Sequence, residues 1–481
     1  MQTCDTLIRG ATTFDGTGAP GVRADVAIAD GRVAALGALE GWRAEELVEA
    51  RGLALVPGFI DVHTHDDTSV VLTPALWPKL SQGVTTVIVG NCGISAAPVV
   101  LRDGTVPDPL NLLGRAEHFV YPTFASYRAA VARARPAVNV AALVGHTSLR
   151  ATHVAALDRA ATPVEIDAMR ASLREALDAG AVGLSTGLAY RNAIAAPTEE
   201  VEALAEPLAA AGALYATHLR TEFAGIVDAL DEALRIGRTA RVPVAVSHLK
   251  CAGRENWGRS AEVLAHLERA SATHDVWWDA YPYTAGSSTL DLGQVTDAIE
   301  IGITWSDPHP AMGGRTLREI ARAWDVSLLE AARRLQPAGA IYHSMSEDDV
   351  RRILAHPRTV IGSDGLPHDP RPHPRLWGAF PRVLGHYARE AGVLSFADAV
   401  HRMTGLPARR FGLGERGEIR EGWAADLVLL DAARVRDVAT FEDPRREAEG
   451  IVGVWVNGVR SSRDQVQTGG RGGRFLVRES S

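Results

Sequence analysis

The chain has 481 residues, of which 46% are hydrophobic and 22% are charged, a composition typical of globular proteins. Its formal net charge of −8 is spread along the chain and argues against nucleic acid as a partner, because phosphate backbones require basic patches. No apolar run approaches the ~20 residues that a membrane-spanning helix needs, so we expect no membrane partner.

The cysteines and the first residues of the chain predict a cytoplasmic protein. Three cysteines, Cys4, Cys92 and Cys251, are too few for a disulfide framework in a chain of this length. The stretch after Met1 lacks the basic flank and the apolar core of a signal peptide. Each cysteine is therefore expected to be a buried thiol, a metal ligand or a nucleophile.

Short β-type runs separated by turns occupy both ends of the chain. Near the N-terminus, Asp30-Gly31 between two apolar segments predicts a β-hairpin. Similar runs return at residues 425–431 and 450–458, so we expect one small β-sandwich domain built from both ends. The Gly/Arg-rich tail from Gly469 is expected to be a wrapping segment or a loose terminus. The predicted N-terminal β part, central domain and C-terminal β part are residues 1–55, 56–414 and 415–481.

The central part repeats a unit of one short β-run followed by a helix. Amphipathic stretches with a period near 3.6 residues separate the runs, as at Pro163–Ala179, Thr198–Ala211 and Ser260–Ala270. Eight such units predict the α/β class and a (β/α)8 TIM-like barrel. A long interruption at about 284–343 predicts a lid-like insertion. The eight β-runs end at or near His65, Cys92, His146, Ser185, His218, His248, Ala280 and Asp364.

Potential metal ligands stand at several of the predicted strand ends. His63 and His65 are two residues apart on an extended strand, so both imidazoles point to the same side. The carboxyl ends of barrel strands meet at one mouth, where active sites lie. Imidazole and thiolate ligands select zinc rather than magnesium. Any one of these residues could be structural, but together they predict a zinc site formed by His63, His65, Cys92, His218, His248 and Asp364.

These motifs also resemble a known superfamily. The stretch from Gly58 to His65, with histidines on strands five and six and an aspartate on strand eight, is similar to the amidohydrolases. Many binuclear members bridge two metals with a carbamylated lysine on strand four, where this chain offers none. Cys92 can take that role, a substitution that resembles the N-acyl-D-amino-acid deacylases (D-aminoacylases). Similar stretches run through nearly the whole chain, including 187–190, 217–220, 247–250, 279–286, 362–368 and 371–378.

The resemblance implies a metal-dependent hydrolase of linear amides. The expected reaction is hydrolysis of an N-acyl-D-amino acid to a carboxylate and a free D-amino acid. A metal-activated water attacks the amide, and Asp364 serves first as general base and then as general acid. By similarity, His63 and His65 line a second, weaker metal position, and Asp364 lies beside both this position and that of the tightly bound metal. By similarity, the residues that hold one tightly bound Zn²⁺ are Cys92, His218 and His248.

The substrate is expected to be a small molecule with an α-carboxylate and an apolar side chain. Lys occurs only at Lys79 and Lys250, which gives Lys250, two residues after His248, particular weight as a cation. No Arg or Lys lies between Ala270 and Gly314, so the predicted lid offers no cation for an acidic side chain. We therefore expect a preference for hydrophobic residues. The expected contacts are Lys250, Arg375, Tyr190 and Ser287 for the carboxylate, and, by similarity, Tyr342 and Met345 for the apolar pocket.

Two other functions remain open at this level. One is hydrolysis of a cyclic amide, as in hydantoinases and dihydroorotases, and the missing strand-four lysine weighs against it. The other is a metal-free scaffold protein with the amidohydrolase fold, which would be expected to have lost ligands that this chain retains. The D stereochemistry rests on the resemblance alone, and the sequence leaves the oligomeric state open.

Overall fold

The computed structural model describes residues 2–478. Its strands are β1 (Thr3–Thr13), β2 (Val22–Ala29), β3 (Arg32–Gly37), β4 (Arg43–Glu49), β5 (Ala54–Pro57), β6 (Phe59–Asp61), β7 (Val84–Val89), β8 (Asn139–Ala142), β9 (Val144–Gly145), β10 (Gly183–Gly187), β11 (Leu214–His218), β12 (Val244–Val246), β13 (Val276–Ala280), β14 (Gly286–Thr289), β15 (Ile301–Ser306), β16 (Ala338–Tyr342), β17 (Thr359–Ile361), β18 (Leu427–Leu430), β19 (Ile451–Val456), β20 (Val459–Arg463) and β21 (Val466–Gln467).

The α-helices are α1 (Ser69–Leu72), α2 (Trp77–Leu80), α3 (Phe124–Ala134), α4 (His146–His153), α5 (Pro163–Asp178), α6 (Thr198–Ala205), α7 (Ile226–Ala240), α8 (Ser260–Ser271), α9 (Leu317–Trp324), α10 (Leu328–Leu335), α11 (Glu347–Ala355), α12 (Arg375–Arg382), α13 (Phe396–Met403) and α14 (Gly405–Phe411). A π-helical segment, Val383–Glu390, continues α12. Short 3-10 turns lie at Leu110–Leu113, Ala116–His118, Glu206–Leu208, Arg254–Asn256, Leu292–Gln294 and Pro310–Met312.

Strands from both ends of the chain form one nine-stranded sheet in the order β21-β20-β19-β18-β5-β1-β2-β3, with β4 also paired to β1. The two ends meet where β5 pairs antiparallel with β18 and Val56 lies opposite Val428. The predicted hairpin is confirmed, because β2 and β3 are antiparallel neighbours on either side of Asp30 and Gly31. Both turn residues have positive φ, 52° and 77°, as a tight hairpin turn requires.

Hydrogen bonds join the strands of both chain ends into one sheet, which forks at β1. Residues 3–9 of β1 pair with β4, whereas Thr12 and Thr13 pair with β5. An irregularity between Ile8 and Ala11 separates the two pairings. Apolar clusters cover both faces of this sheet.

The central part contains two parallel sheets, β6-β7-β8 and β9-β10-β11-β12-β13-β17. Every predicted central strand has a counterpart among these strands, and the predicted helices correspond to α5, α6 and α8. The start of α5 illustrates the local cause, since Thr162 and Glu165 form a reciprocal capping box around Pro163. The arrangement is of the TIM-barrel type and carries the additional terminal sheet.

Contacts link the two parallel sheets at both sides. The chain passes directly from β8 to β9 through Leu143, whose N–H donates to the Val89 carbonyl at 2.9 Å. At the other side, Thr64 and Gly365 form a parallel bridge just beyond β6 and β17. Alternate residues from both sheets meet in one buried apolar cluster, which includes Ile60, Ile88, Leu143, Val182, Leu214, Ala245, Trp277 and Val360.

A separate unit lies between β13 and β17, where the sequence predicts an insertion. Its antiparallel sheet has the order β14-β16-β15, and α9 and α10 pack on it around a hydrophobic core of their own. The C-terminal tail follows the first of the two alternatives, since it wraps the protein. The Val140 N–H donates to the Arg474 carbonyl at 2.9 Å, and the Leu476 N–H donates back to Val140 at 2.7 Å. Among residues 2–478, no helix combines the length and apolar character needed to cross a bilayer.

Candidate metal centre and active site

Six side chains that follow the ends of five parallel strands converge on one place. Within each of two groups, the ligand atoms lie within 4.8 Å of one another, and Cys92 belongs to both groups. Five of the six residues are buried and His218 is half-buried. The structure therefore brings together all the predicted metal ligands, as one group of His63, His65, Cys92 and Asp364 and a second group of Cys92, His218 and His248.

The loop that carries Cys92 is pressed against β10. Cys92 itself has φ of 53°, an uncommon conformation for a residue other than glycine. The Gly93 N–H donates to the Ser185 hydroxyl at 3.0 Å, and that hydroxyl donates to the Gly90 carbonyl at 2.5 Å. A Cβ on Gly187 would lie 2.2 Å from the Cys92 carbonyl oxygen. Strand β10, which is the fourth strand of the predicted barrel, thus supports the cysteine loop with Ser185 and Gly187.

We expect Gly187→Ala to destabilise the protein by ~1–3 kcal/mol, the range for forced overpacking, and to weaken zinc binding. The added methyl group would collide with the Cys92 backbone and with the Tyr190 ring at 2.7 Å, so relief requires displacing a metal ligand. Urea unfolding and zinc content per chain measure the two effects. Gly302→Ala is the matched control, because its nearest neighbour would be 4.0 Å away. Equal behaviour of the two variants would contradict this assignment.

The charges around Cys92 favour a thiolate. Burial alone would raise the pKa of this thiol, but His63 and His248 outweigh it and hold the pKa well below the ordinary value. The sulfur lies 3.1 Å from Nε2 of His63 and 3.3 Å from Nε2 of His248. A shared thiolate surrounded by imidazoles is a donor set that zinc prefers, and zinc fits both groups.

The surroundings of His65 provide a second test of whether a metal ion fits this site. Burial opposes a charge on this imidazole, yet Asp364 and Cys92 raise its pKa to about 9. Nε2 of His65 lies 3.1 Å from a carboxylate oxygen of Asp364. The two anions therefore favour positive charge at this position, and a bound dication would supply that charge while releasing the proton.

Asp364 lies at the edge of the metal groups and faces Arg375. One carboxylate oxygen is 2.9 Å from Nη1 of Arg375 and the other is 3.5 Å from Nε2 of His63. Burial alone would raise the pKa of Asp364, but Arg375 and the neighbouring histidines hold it well below its usual range. Asp364 is therefore a buried carboxylate at neutral pH. Like Cys92 and His248, it has a positive φ.

Two carboxylates that support the ligands were missed by the sequence analysis. Asp279 at the end of β13 lies 3.2 Å from Nδ1 of His63 and accepts the His248 N–H at 3.0 Å. Glu222 lies 3.0 Å from Nδ1 of His248 and also pairs with Lys250. Such partners fix the orientation of ligating imidazoles. Asp279 stands at a strand end, which was an available signal, whereas Glu222 lies in a loop with no recognisable motif.

The residues predicted to bind the α-carboxylate of the substrate differ in their surroundings. Arg375 is buried and donates to the Ser287 carbonyl at 3.0 Å, while its Nε has no hydrogen-bond partner among the described residues. The Ser287 hydroxyl is likewise unpartnered in that part of the chain. The Tyr190 ring lies 4.8 Å from the His218 ring. The Lys250 ammonium is already paired with Glu222.

The two residues predicted for the side-chain pocket lie in hydrophobic cores. The Tyr342 hydroxyl donates to the Thr289 carbonyl at 3.1 Å and accepts the Asp291 N–H at 2.8 Å, within the core of the insertion. Met345 packs in the main core, beside a cavity of about 10 Å³ that Lys250 also lines. Neither side chain makes a polar contact with the metal groups in residues 2–478.

Tyr281 is a further residue at this site that received no role from the sequence. Its ring lies 4.6 Å from the Arg375 guanidinium and 5.7 Å from the Lys250 ammonium. Its buried hydroxyl has no partner within the described structure. Burial is the main cause that raises its pKa to about 12, so this hydroxyl keeps its proton and can donate a hydrogen bond. The motif around it contributed only to the family resemblance.

Imidazole, thiolate and carboxylate ligands at the carboxyl ends of parallel strands are typical of metal-dependent hydrolases with a TIM-barrel-type fold. A family model described as "Amidohydrolase family" matches residues 46–461. The chain belongs to this family.

Three characterised relatives match nearly the whole chain, all from Alcaligenes xylosoxydans xylosoxydans. A D-aminoacylase is 49% identical over 480 residues, which covers 100% of this chain and 99% of the relative. An N-acyl-D-aspartate deacylase is 49% identical over 475 residues, covering 98% and 95%. An N-acyl-D-glutamate deacylase is 48% identical over 485 residues, covering 100% and 98%. The three relatives, which differ in their named substrates, are thus about equally similar to this chain.

Two solved structures extend the comparison. A D-aminoacylase described as having a binuclear metal centre, with one-metal activation and second-metal attenuation, superposes with a TM-score of 0.97 at 49% identity, covering 99% of this chain and 100% of that one. An N-acyl-D-glutamate deacylase from Bordetella bronchiseptica, in complex with zinc and a phosphonate mimic of the tetrahedral intermediate, superposes with a TM-score of 0.95 at 46% identity and the same coverage.

Proposed function

We propose that this protein is a zinc-dependent hydrolase that converts N-acyl-D-amino acids to a carboxylate and a free D-amino acid. The observation that carries the proposal is the convergence of five other candidate ligands on a shared, buried Cys92 thiolate. Full-length similarity to three deacylases of N-acyl-D-amino acids supports the substrate class and its stereochemistry.

The two ligand groups have different tasks in this proposal. Cys92, His218 and His248 hold the tightly bound zinc, whereas His63 and His65 line the second, weaker position. Zinc held by these three residues would polarise the acyl carbonyl and would lower the pKa of a water molecule toward ~7. Asp364 faces both positions, and the buried ion pair with Arg375 keeps it ionised.

Asp364 moves the proton. As a carboxylate, it accepts the proton of the attacking water and then donates it to the departing amine nitrogen. Its oxygen 3.1 Å from His65 and its oxygen 2.9 Å from Arg375 restrict the carboxylate to one orientation. This orientation supports the use of one group as base and then as acid.

Arg375 and its neighbours bind the α-carboxylate of the substrate. The unpartnered Nε of Arg375 and the unpartnered Ser287 hydroxyl are the available donors, and Lys250 and Tyr190 complete the predicted set. The buried hydroxyl of Tyr281 lies beside both cations and donates to a substrate oxygen. Its position supports a role that the sequence did not suggest.

The side-chain preference is for apolar D-amino acids. Tyr342 and Met345 line the pocket for the substrate side chain on the side of the insertion. The insertion acts as a lid over this pocket. The absence of Arg and Lys from residues 270–314 supports discrimination against acidic side chains.

The architecture that we infer is a closed (β/α)8 barrel, with the two parallel sheets as arcs of one cylinder. The bridge between Thr64 and Gly365 and the shared interior cluster support closure. The proposed domain limits are 1–55 and 415–481 for the terminal sheet and 56–414 for the barrel. A cytoplasmic location is supported by the three unpaired cysteines.

A panel of N-acetyl D- and L-amino acids, assayed with and without a zinc chelator, tests the function. We expect hydrolysis of D-methionine, D-leucine and D-phenylalanine derivatives and loss of that activity with the chelator. One polar contact or its absence changes specificity by about tenfold or more, so the acidic D-derivatives are expected to react at least ~10-fold more slowly.

Two results would contradict the proposed function. Turnover of a hydantoin or dihydropyrimidine above that of N-acetyl-D-methionine would assign the protein to cyclic-amide hydrolysis. Absence of zinc by elemental analysis of the purified protein, together with no hydrolysis, would favour a scaffold role.

A further inference from the structure

Lys79 is a fully buried ammonium beneath the metal groups. It lies on α2, and its Nζ donates to Asp61 Oδ2 at 2.8 Å and to the Ser363 hydroxyl at 2.8 Å. Asp66 Oδ2 lies 3.3 Å away. A buried cation is costly unless several acceptors compensate it, so this arrangement is a built network.

The acceptors of Lys79 belong to the two segments that carry half of the site. Asp61 ends β6, two residues before His63, and Ser363 immediately precedes Asp364. The Asp61 carboxylate accepts the Ser363 N–H at 2.8 Å, the Ser363 hydroxyl at 2.6 Å and the His63 N–H at 3.3 Å. One ion pair therefore fixes the spacing between the His-x-His segment and the Asp364 loop.

Backbone contacts continue this connection into the site. The Asp364 N–H donates to the His63 carbonyl at 2.7 Å, and the His65 N–H donates to the Gly365 carbonyl at 3.0 Å. Movement of Ser363 would therefore displace Asp364 and both histidines together. In contrast, none of the ligands Cys92, His218 and His248 makes a hydrogen bond to Lys79 in the described structure.

The space around the ammonium explains why this Arg-rich chain keeps a lysine here. A Cβ on Gly365 would lie 3.0 Å from Nζ of Lys79 and 2.8 Å from Leu376. The ammonium is thus in close contact with the backbone of the Asp364 loop. A planar guanidinium is larger and would not fit without moving that loop.

We propose that Lys79 is a positioning residue that, through Asp61 and Ser363, sets the geometry of the second metal position and of Asp364. Lys79 touches neither substrate nor metal ligands. The part of the proposal that concerns catalysis rests on the proposed function, because it assumes that Asp364 is the general base. The part that concerns metal binding does not require a substrate.

The test is metal titration of Lys79→Met and Ser363→Ala in the full-length protein. For Lys79→Met, we expect one tightly bound zinc by elemental analysis, as in the unmodified protein. Calorimetric titration with Zn²⁺ should show at least ~10-fold weaker binding of the second equivalent, the lower end of the effect of outer-shell partners. The kcat on N-acetyl-D-methionine should fall at least ~10-fold, with KM changing less than the kcat does.

Ser363→Ala serves as the second variant, because it removes the hydroxyl that accepts from Lys79 and from the Gly365 N–H and donates to Asp61, without removing a charge. It is expected to change second-site affinity and kcat in the same direction by a smaller factor. Arg402→Met is the matched control, since Arg402 is a buried cation that donates to carbonyls of α11 and His356 instead of to this network. The control should lower the Tm while second-site affinity stays unchanged.

The outcomes separate this proposal from the proposed function. Unchanged second-site affinity in the folded variants would overturn the positioning role, whatever their activity. If Lys79→Met does not fold, an unchanged second-site affinity for zinc and an unchanged kcat in Ser363→Ala would also overturn the positioning role. A parallel loss of affinity in Arg402→Met would assign the effect to general destabilisation. If the unmodified protein hydrolyses no N-acyl-D-amino acid, the proposed function fails while the titration still decides the role of Lys79.

Discussion

Cys92→Ala is expected to lose the tightly bound zinc and to lower kcat/KM on N-acetyl-D-methionine at least ~10³-fold. Among the described residues, Cys92 is the only residue shared by the two ligand groups. Its sulfur lies 3.1 Å from Nε2 of His63 in one group and 3.3 Å from Nε2 of His248 in the other. Without the thiolate, the first position retains two histidines and no anionic ligand. A metal that polarises a carbonyl contributes several kcal/mol, and ~1.4 kcal/mol corresponds to a tenfold change in rate.

Zinc content after dialysis, circular dichroism and steady-state kinetics measure this result. The substitution should leave the fold intact, because alanine at positive φ is no more strained than the cysteine that it replaces. Cys4→Ala is the matched control, since Cys4 is a buried thiol in the terminal sheet. It should retain one zinc and nearly full activity. Full activity of Cys92→Ala would remove the thiolate from the metal centre.

Asp364→Asn is expected to keep the tightly bound zinc while kcat falls at least ~10²-fold, the scale of a lost general base. Asparagine conserves the volume of the side chain, but its amide cannot accept the proton of water. The carboxylate lies in the second group, so the ligand set of the first group is unchanged. We expect KM to change less than kcat because the carboxylate-binding donors remain.

Elemental analysis and single-substrate kinetics test this separation of binding from chemistry. Asp426→Asn is the matched control, because Asp426 is also a buried aspartate in an ion pair with an arginine, Arg416. The control should lower thermal stability and leave kcat near that of the unmodified protein. A near-normal kcat for Asp364→Asn would assign proton transfer to another group. Loss of the tightly bound zinc would instead make Asp364 a ligand of the first position.

The convergence of the six candidate ligands could be predicted from the sequence because each one follows a short apolar run. Parallel strands place their carboxyl ends together, so a residue such as His218 is located once its strand is recognised. The supporting groups do not follow this rule. Glu222 reaches His248 from an irregular loop, and Lys79 reaches Asp61 from a four-residue helix. Their positions depend on packing between distant segments, which a single sequence does not encode locally.

The substrate contacts were harder to predict for a related reason. The sequence predicts Lys250 as a cation for the substrate carboxylate, and it does not reveal that Glu222 pairs with this ammonium. Tyr281 was overlooked although its hydroxyl is buried and unpartnered in the described chain. A residue type identifies a potential donor, whereas its availability depends on which neighbours have already taken its hydrogen bonds. The terminal sheet shows the same limit, since its β-type runs could be recognised from the sequence but the fork at β1 could not.

The pairing of β5 with β18 has a consequence for synthesis of the protein. Strand β5 leaves the ribosome long before β18, its partner, and chains are made at roughly 5–20 residues per second. The edge of β5 therefore stays unpaired for tens of seconds, during which the strands that carry the metal ligands can already assemble. The terminal sheet is completed last, and loss of the C-terminal strands would expose an N-terminal edge to aggregation.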